Sequence, residues 1–239
     1  MTLYAFLEHV GHVPWVLQAA ALATILLLAT AWAVRRGLAA AGDATLPDEG
    51  LTLRNLCEVG VEALASIARQ AIGPEYRRYF AVAGAIFFFV LVSNLMGLIP
   101  ALGGATSDVN TTTAWAILSF LVYNAVGIRE HGWKYVYQFM GPSLFTLHLG
   151  GHHFHVRLLA PLFLPLEIVL HLARILTLSV RLLANMFADH AVVGAFLKLA
   201  PLGIPAIFLG LGVLVALLQA FVFSLLTMVY IGLALQEAH

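Results

Sequence analysis

Three charged residues recur at intervals of seven inside one long apolar segment: Glu167, Arg174 and Arg181. At about 100° per residue, seven steps nearly close two helical turns, so the three side chains form one stripe along a helix. His171 and Asn185 each lie four residues from a member of this stripe and extend it. A charge placed in hydrocarbon costs at least about 2.5 to 3.5 kcal/mol. The stripe therefore needs water, a cavity or a charged partner, a pattern typical of an ion pathway.

Arg181 is the most informative member of the stripe. Glu167 and His171 are one turn apart and could satisfy each other, so a structural and a functional interpretation of Glu167 both stay open. No acidic residue lies three or four positions from Arg181, and a guanidinium keeps its charge at any physiological pH. We therefore interpret Arg181 as a functional residue whose counter-charge comes from another element.

The composition indicates that lipid is the solvent of much of the chain. Of 239 residues, 62% are hydrophobic and only 10% are charged, and the mean hydropathy is +0.94. Soluble domains carry about 25% charged residues. The formal net charge of zero gives no indication of nucleic-acid binding, and the single cysteine, Cys57, excludes an internal disulfide.

The apolar runs predict an all-α membrane protein, a single polytopic domain over 1–239. About 20 apolar residues cross the hydrocarbon layer as a helix. We predict five spans, at about 13–34, 79–100, 111–128, 158–198 and 201–236.

A further, amphipathic helix is predicted over about 52–72, with Arg54, Glu58 and Glu62 on its polar face. It would lie at the membrane surface, and a small soluble helix packed on a partner subunit fits the same pattern equally well.

The last two segments are too long for upright spans. Some 40 residues rise about 60 Å, roughly twice the hydrocarbon thickness. We predict a long, strongly tilted helical hairpin, which implies a partner that dictates the tilt.

The basic residues predict the orientation. Nine of the twelve lie in the two connections that follow the first and third spans, and such loops are usually cytoplasmic. This puts the N-terminus outside and the C-terminus inside.

Four ordered motifs carry a resemblance to a known family. They are 179–186 (SVRLLANM), 93–100 (SNLMGLIP), 107–110 (SDVN) and 218–223 (LQAFVF). Over roughly 75–237 the chain resembles subunit a of the F-type ATP synthase, the membrane-sector subunit that conducts protons.

The resemblance implies a stator beside a rotating ring of c subunits, each with a membrane carboxyl group. Arg181 would match the essential arginine that faces these carboxylates and separates two aqueous half-channels. Glu167 would match a glutamate of the cytoplasmic half-channel, and Asn185 and Gln219 the polar residues that flank the arginine. Asp108 would match an acidic residue of the outer loop, to which we assign no role.

The implied partners are the c-ring, the peripheral-stalk subunit b, other ATP synthase subunits and membrane lipids. The resemblance implies no cofactor, no metal and no catalytic chemistry of the subunit's own. The implied location is the bacterial cytoplasmic membrane.

The chain departs from the family pattern at two positions. Nine residues after the arginine, where a carboxylate is common, it has His190, preceded by Asp189. Seven residues before Gln219, where a histidine or glutamate is common, it has Gly212. We expect Asp189 as inner relay and His190 as outer or structural member to replace the usual pair, with water in the space beside Gly212.

Two alternatives come from other classes of protein. A membrane metalloenzyme is suggested by His148, His152, His153 and His155, but such sites need about eight histidines in several boxes, so a solvated His-rich loop fits better. A secondary transporter is disfavoured because the chain shows no internal repeat. The coupling ion, H⁺ or Na⁺, stays open because the ring carboxylate site decides it.

Overall fold

The computed structural model describes residues 14–40, 50, 52–99, 103–132, 135, 145–149, 152–156, 160–199 and 204–235. Helices dominate this part of the chain, which confirms the all-α fold class. They are α1 (Trp15–Ala40), α2 (Leu53–Ile72), α3 (Tyr76–Gly97), α4 (Val109–His131), α5 (Ala160–Leu199) and α6 (Ile204–Leu235). A 3-10 turn, Ala105–Ser107, precedes α4.

A short β-hairpin within the His-rich loop is the exception to the helical fold. Strands β1 (Phe145–Leu149) and β2 (His152–Val156) pair antiparallel, with His148 opposite His153. Across the described residues, no three His, Cys, Asp or Glu side chains are grouped so that they could hold a metal ion.

Within the described ranges, four helices are long and apolar enough to cross a membrane: Trp15–Ala39, Tyr76–Gly97, Val109–His131 and Pro205–Leu235. Helix α5, which carries the charged stripe, is not among them. Five spans were predicted, and the crossing by α5 stays a prediction.

Helix α2 has two apolar faces. Its N-cap is Thr52, whose hydroxyl oxygen accepts from the Asn55 amide at 3.3 Å, and it ends at Gly73, where φ is +88°. One face is buried in the core, while a row formed by Leu53, Leu56 and Val59 is exposed. This outward row suits the membrane-surface position predicted for the helix, which remains a prediction.

Arg54 lies beside Glu58 on the face that the sequence pattern gave it, but Arg54 itself is buried. Its side chain is only 4% exposed, and its Nε donates to Glu58 Oε1 at 2.7 Å. The i,i+4 spacing lets the buried guanidinium keep a carboxylate partner on its own helix.

Buried polar side chains join the central helices. The Ser119 and Thr227 hydroxyls lie 2.9 Å apart between α4 and α6, and the Ser224 hydroxyl donates to the Ala83 carbonyl of α3 at 2.9 Å. Such bonds between membrane helices contribute about 0.6 kcal/mol each. They fix α6 against α3 and α4, and so fix the surface on which α5 packs.

Helices α5 and α6 form the long hairpin that the sequence predicted. They have 40 and 32 residues, about 60 and 48 Å at 1.5 Å per residue. They pack on each other, and near their connection Phe196 stacks on Phe208 with ring centroids 4.3 Å apart. Their tilt relative to a membrane stays a prediction.

Candidate functional site

Helix α5 turns Arg181 away from the protein core. Its neighbours Leu178, Leu182 and Met186 are buried, whereas Arg181 is exposed. In the described part of the chain, no carboxylate pairs with Arg181 and no group accepts a hydrogen bond from it. The cation expected to need an external partner is therefore open to one.

A stripe of small, exposed residues runs along α5 through Arg181. Thr177 lies four residues before Arg181, and Ala184, Ala188 and Ala191 follow it at intervals of three, four and three. We call these four residues together with Arg181 the Arg181 face. Small side chains let another helix approach a backbone closely. The face therefore offers a partner helix both room and one positive charge.

A cavity lies where the other end of the stripe meets α4 and α6. It has a volume of about 140 Å³, and Glu167, His171 and Arg174 of α5 line it. Its other lining residues are Tyr123, Tyr135, Tyr230, Leu233 and Ala234. We call it the Glu167 cavity. It is polar and has room for water molecules, because about 30 Å³ corresponds to one water in the liquid.

Glu167 and His171 interact, as their spacing predicted. His171 Nδ1–H donates to the Glu167 carbonyl oxygen at 2.8 Å and lies 3.4 Å from Glu167 Oε1. Both side chains also line the cavity. The structural and the functional interpretation of Glu167 are thus compatible, since a paired carboxylate can still face water.

Arg174 lies against two aromatic rings. Its guanidinium carbon is 4.0 Å from the ring centroid of Tyr230 on α6 and 5.4 Å from that of Tyr123 on α4. No salt bridge from Arg174 to a carboxylate is found in the described ranges. A cation on an aromatic face gains about 0.5 to 2 kcal/mol without losing its charge. Arg174 is therefore a positioned but uncompensated cation in the cavity wall.

Tyr135 completes this wall from the connection after α4. Its hydroxyl donates to Asn124 Oδ1 at 3.1 Å, and its ring covers Gly127, where an added Cβ would lie 2.1 Å from Tyr135 Cε2. Burial raises the pKa of Tyr135 to about 12, so the phenol keeps the proton that it donates. Gly127 is required here because no larger residue leaves room for this ring.

The opposite end of α5 holds Asp189 and His190 in different surroundings. His190 Nε2–H donates to the carbonyl oxygen of Gly97, the last residue of α3, at 2.7 Å. Asp189 is half-buried and forms no hydrogen bond or ion pair to any residue that the structure describes. His190 therefore connects α5 to α3 by a hydrogen bond, whereas Asp189 makes no such bond to a described residue.

The water-filled space expected beside Gly212 is absent. Gly212 is buried, and a Cβ added there would lie 2.6 Å from Leu98 Cδ2. A side chain from α3 therefore fills the volume that the glycine was expected to leave open.

The remaining predicted residues have polar but separate positions. Asn185 and Gln219 are half-buried, and neither forms a hydrogen bond with Arg181 within the described chain. Asp108 caps α4 by accepting from the Asn110 amide at 2.7 Å, a structural role that the sequence left open.

A buried amide network near the 93–100 motif was missed by the sequence analysis. The Thr106 hydroxyl donates to Asn94 Oδ1 at 2.7 Å, and Asn94 Nδ2 donates to the Ala216 carbonyl at 3.4 Å. The network joins α3, the 3-10 turn and α6. A polar Asn94 within an apolar run was the only signal for it in the sequence.

Comparison with known proteins identifies the family of the chain. The model of the family described as "ATP synthase A chain" matches residues 16–232. "ATP synthase subunit a 1" of Syntrophotalea carbinolica (strain DSM 2380 / NBRC 103641 / GraBd1) is 39% identical over 236 residues, 99% of this chain and 89% of that protein. "ATP synthase subunit a" of Bdellovibrio bacteriovorus (strain ATCC 15356 / DSM 50701 / NCIMB 9529 / HD100) is 36% identical over 231 residues, 96% and 95% of the two chains.

A third relative gives a shorter match. "ATP synthase subunit a" of Geobacter sulfurreducens (strain ATCC 51573 / DSM 12127 / PCA) is 40% identical over 187 residues, 78% of this chain and 76% of that protein. The family match extends over most of the chain, and four helices have the length and hydropathy of membrane spans. The chain is an integral membrane protein that belongs to the ATP synthase A chain family.

Proposed function

We propose that this protein is the proton-translocating stator subunit of an F-type ATP synthase. The observation that carries the proposal is Arg181, a cation that is exposed within a face of small residues and has no counter-charge in the described part of the chain. A helix bearing a carboxyl group can reach this charge, and the c-ring presents such helices in turn.

The chemistry follows from a fixed charge meeting a titratable one. Beside Arg181 a ring carboxyl group is favoured as the anion, so it releases its proton there. The same charge repels a proton that would pass directly from one aqueous path to the other. A proton must then ride the ring between the two paths. One charge crossing 100 mV releases about 2.3 kcal/mol, so several protons are needed for each ATP.

The Glu167 cavity is proposed as one of the two paths. Its paired Glu167 and His171 can exchange a proton with water, and the cavity has room for water between them and the aqueous phase. The orientation proposed from the basic loops makes this the cytoplasmic path.

Asp189 is proposed as the inner relay of the outer path. It is half-buried, lies two turns beyond Arg181 and has no bonded partner among described residues. His190 is the structural member of the pair, since its Nε2–H is engaged by the Gly97 carbonyl. Asn185 and Gln219 flank the passing carboxylate as neutral polar groups.

The setting of the subunit is part of the proposal. It works in the bacterial cytoplasmic membrane with the N-terminus outside and the C-terminus inside, beside the c-ring and the peripheral-stalk subunit b. It contributes ion translocation to the complex and no bond chemistry of its own.

The test uses the reconstituted ATP synthase in sealed vesicles. Arg181→Ala should abolish ATP-driven quenching of ACMA, a pH-sensitive dye, while ATP hydrolysis by the soluble head continues. Arg181→Lys should also fail, because a compact ammonium lacks the forked donors of a guanidinium. Arg36→Ala, which removes an arginine stacked on Trp32 of α1, is the matched control and should pump normally. Normal pumping by Arg181→Ala would overturn the proposal.

A further inference from the structure

The end of α3 reaches both helices of the long hairpin through two consecutive residues. The Gly97 carbonyl accepts from His190 of α5, and the Leu98 side chain lies on Gly212 of α6. The end of α3 therefore contacts both helices of the hairpin near His190.

The contact between Leu98 and Gly212 has no spare room. A Cβ on Gly212 would lie 2.6 Å from Leu98 Cδ2, closer than real Cβ atoms approach a neighbour, and 3.6 and 3.7 Å from the next two Leu98 atoms. Gly212 is buried and its φ is not in the left-handed region, so this close approach is the reason that the structure gives for a glycine.

Helix α6 carries no polar side chain near the His190 end of the hairpin. Its sequence from Ile204 to Leu218 contains no titratable side chain, and Gln219 is the first polar residue along it. On α5, by contrast, Asp189 is half-buried and has no bonded partner in the described chain. The two helices thus differ sharply in what they offer to a proton.

We infer that Leu98 is a positioning residue that closes the α6 side of the outer path, with Gly212 kept as glycine to seat it. Protons in this protein then reach the ring along α5 past Asp189. The inference rests on the proposed function, from which it takes the existence of an aqueous path at this end.

Thiol labelling tests the closure in the assembled complex. In a Cys57→Ser background, single cysteines are placed as Asp189→Cys or Ala216→Cys, one turn beyond Gly212. A membrane-impermeant methanethiosulfonate reagent is then added to the face opposite the soluble head. The cysteine at 189 should be labelled at least about tenfold faster than the one at 216, since thiols react where water reaches them.

Removing the Leu98 side chain should change only one of the two sites. Adding Leu98→Ala should speed labelling at 216 at least about tenfold and alter labelling at 189 by less than about twofold. Leu98→Met should keep site 216 slow, because it preserves the volume. The exposed neighbour Ile99 provides the matched control, and Ile99→Ala should leave both rates unchanged.

Size exchange across the contact gives a second test. Gly212→Ala should change passive proton flux through complexes stripped of the soluble head by less than about twofold, because the α6 side is already closed and the protons pass along α5. Adding Gly212→Ala to Leu98→Ala should slow labelling at 216 again, because the added methyl refills part of the space that Leu98 occupied.

Three outcomes would overturn the inference. They are rapid labelling at 216 with Leu98 intact, no effect of Leu98→Ala on either site, and a roughly tenfold or greater loss of flux in Gly212→Ala. Absence of labelling at both sites would also overturn it, by removing the aqueous path. None of these results depends on whether Arg181→Ala pumps, so failure of the inference is distinguishable from failure of the proposed function.

Discussion

The two ends of helix α5 carry similar residue types, Glu167 with His171 at one end and Asp189 with His190 at the other, but these residues meet different neighbours. At the Glu167 end, aromatic residues of α4 and α6 line a cavity together with the side chains of Glu167, His171 and Arg174. At the His190 end, α3 comes close enough for its last carbonyl to accept from the imidazole. A histidine beside a carboxylate is a candidate proton relay in both places by sequence, and its neighbours decide whether it can act as one.

We expect the two ends to differ in whether a second side chain can carry the proton when the first one is removed. In the cavity, Glu167 and His171 lie within 3.4 Å, so either could carry a proton if the other were lost. At the other end, His190 bonds to the Gly97 carbonyl and forms no ion pair with Asp189 among the described contacts, so we expect Asp189 to act alone. Variants at these positions test this expected difference.

The largest effect is expected at Asp189. Asp189→Asn keeps the shape of the side chain but cannot exchange a proton, so passive proton flux should fall at least about tenfold at every pH tested. The measurement is dye-monitored flux in vesicles stripped of the soluble head. Flux like that of the unaltered protein across the pH range would remove Asp189 from the outer path.

A smaller effect is expected at Glu167, because His171 remains in the cavity. Glu167→Gln should lower the same flux about threefold, and Glu167→Gln with His171→Ala should lower it more than tenfold, beyond the product of the single effects. Multiplicative single effects would mean that the pair does not share one role. Glu130→Gln, which alters a carboxylate outside the cavity, is the control for charge removal.

Loss of the aromatic ring beside Arg174 should lower the stability of the complex more than it lowers proton flux. Tyr230→Leu removes the aromatic face 4.0 Å from the guanidinium and should destabilise the complex by about 1 to 2 kcal/mol. Thermal inactivation of ATP-driven pumping measures this loss. Tyr230→Phe keeps the face and should behave normally, and equal losses in the two variants would contradict the cation–π assignment.

The smallest effect is expected at His190. His190→Ala removes one hydrogen bond to Gly97, worth about 1 kcal/mol, and should change proton flux by less than about twofold. A lowered inactivation temperature with unchanged flux would match a structural tie. A strong, pH-dependent loss of flux would instead make His190 a relay and remove the contrast between the two ends.

The helical period accounts for what could be predicted from the sequence. The seven-residue spacing predicted that Glu167, Arg174 and Arg181 share one stripe. The lack of an acidic residue three or four positions from Arg181 predicted that it has no counter-charge on its own helix, and the pairing of Glu167 with His171 was one of two interpretations that their i,i+4 spacing left open. Apolar runs predicted where the helices lie. These features depend on residues close in sequence, whose geometry a helix fixes.

What could not be predicted depends on contacts between distant segments. Tyr123 and Tyr230 lie about 50 residues to either side of Arg174, and nothing in their local sequence indicates a shared cation. The space expected beside Gly212 was a wrong prediction, because the side chain of Leu98, the residue after α3, occupies it. The burial of Arg54 could not be predicted either, because it depends on how α2 packs.

The Arg181 face has a mechanical consequence for a partner that moves. Alanine has no side-chain rotamers to rearrange, so Ala184, Ala188 and Ala191 give a passing helix almost nothing to catch on. A surface of large, flexible side chains would reorder at every step and dissipate energy as friction. The charge of Arg181 interrupts this stripe of small residues, and each carboxylate of the proposed ring would meet that charge once per revolution.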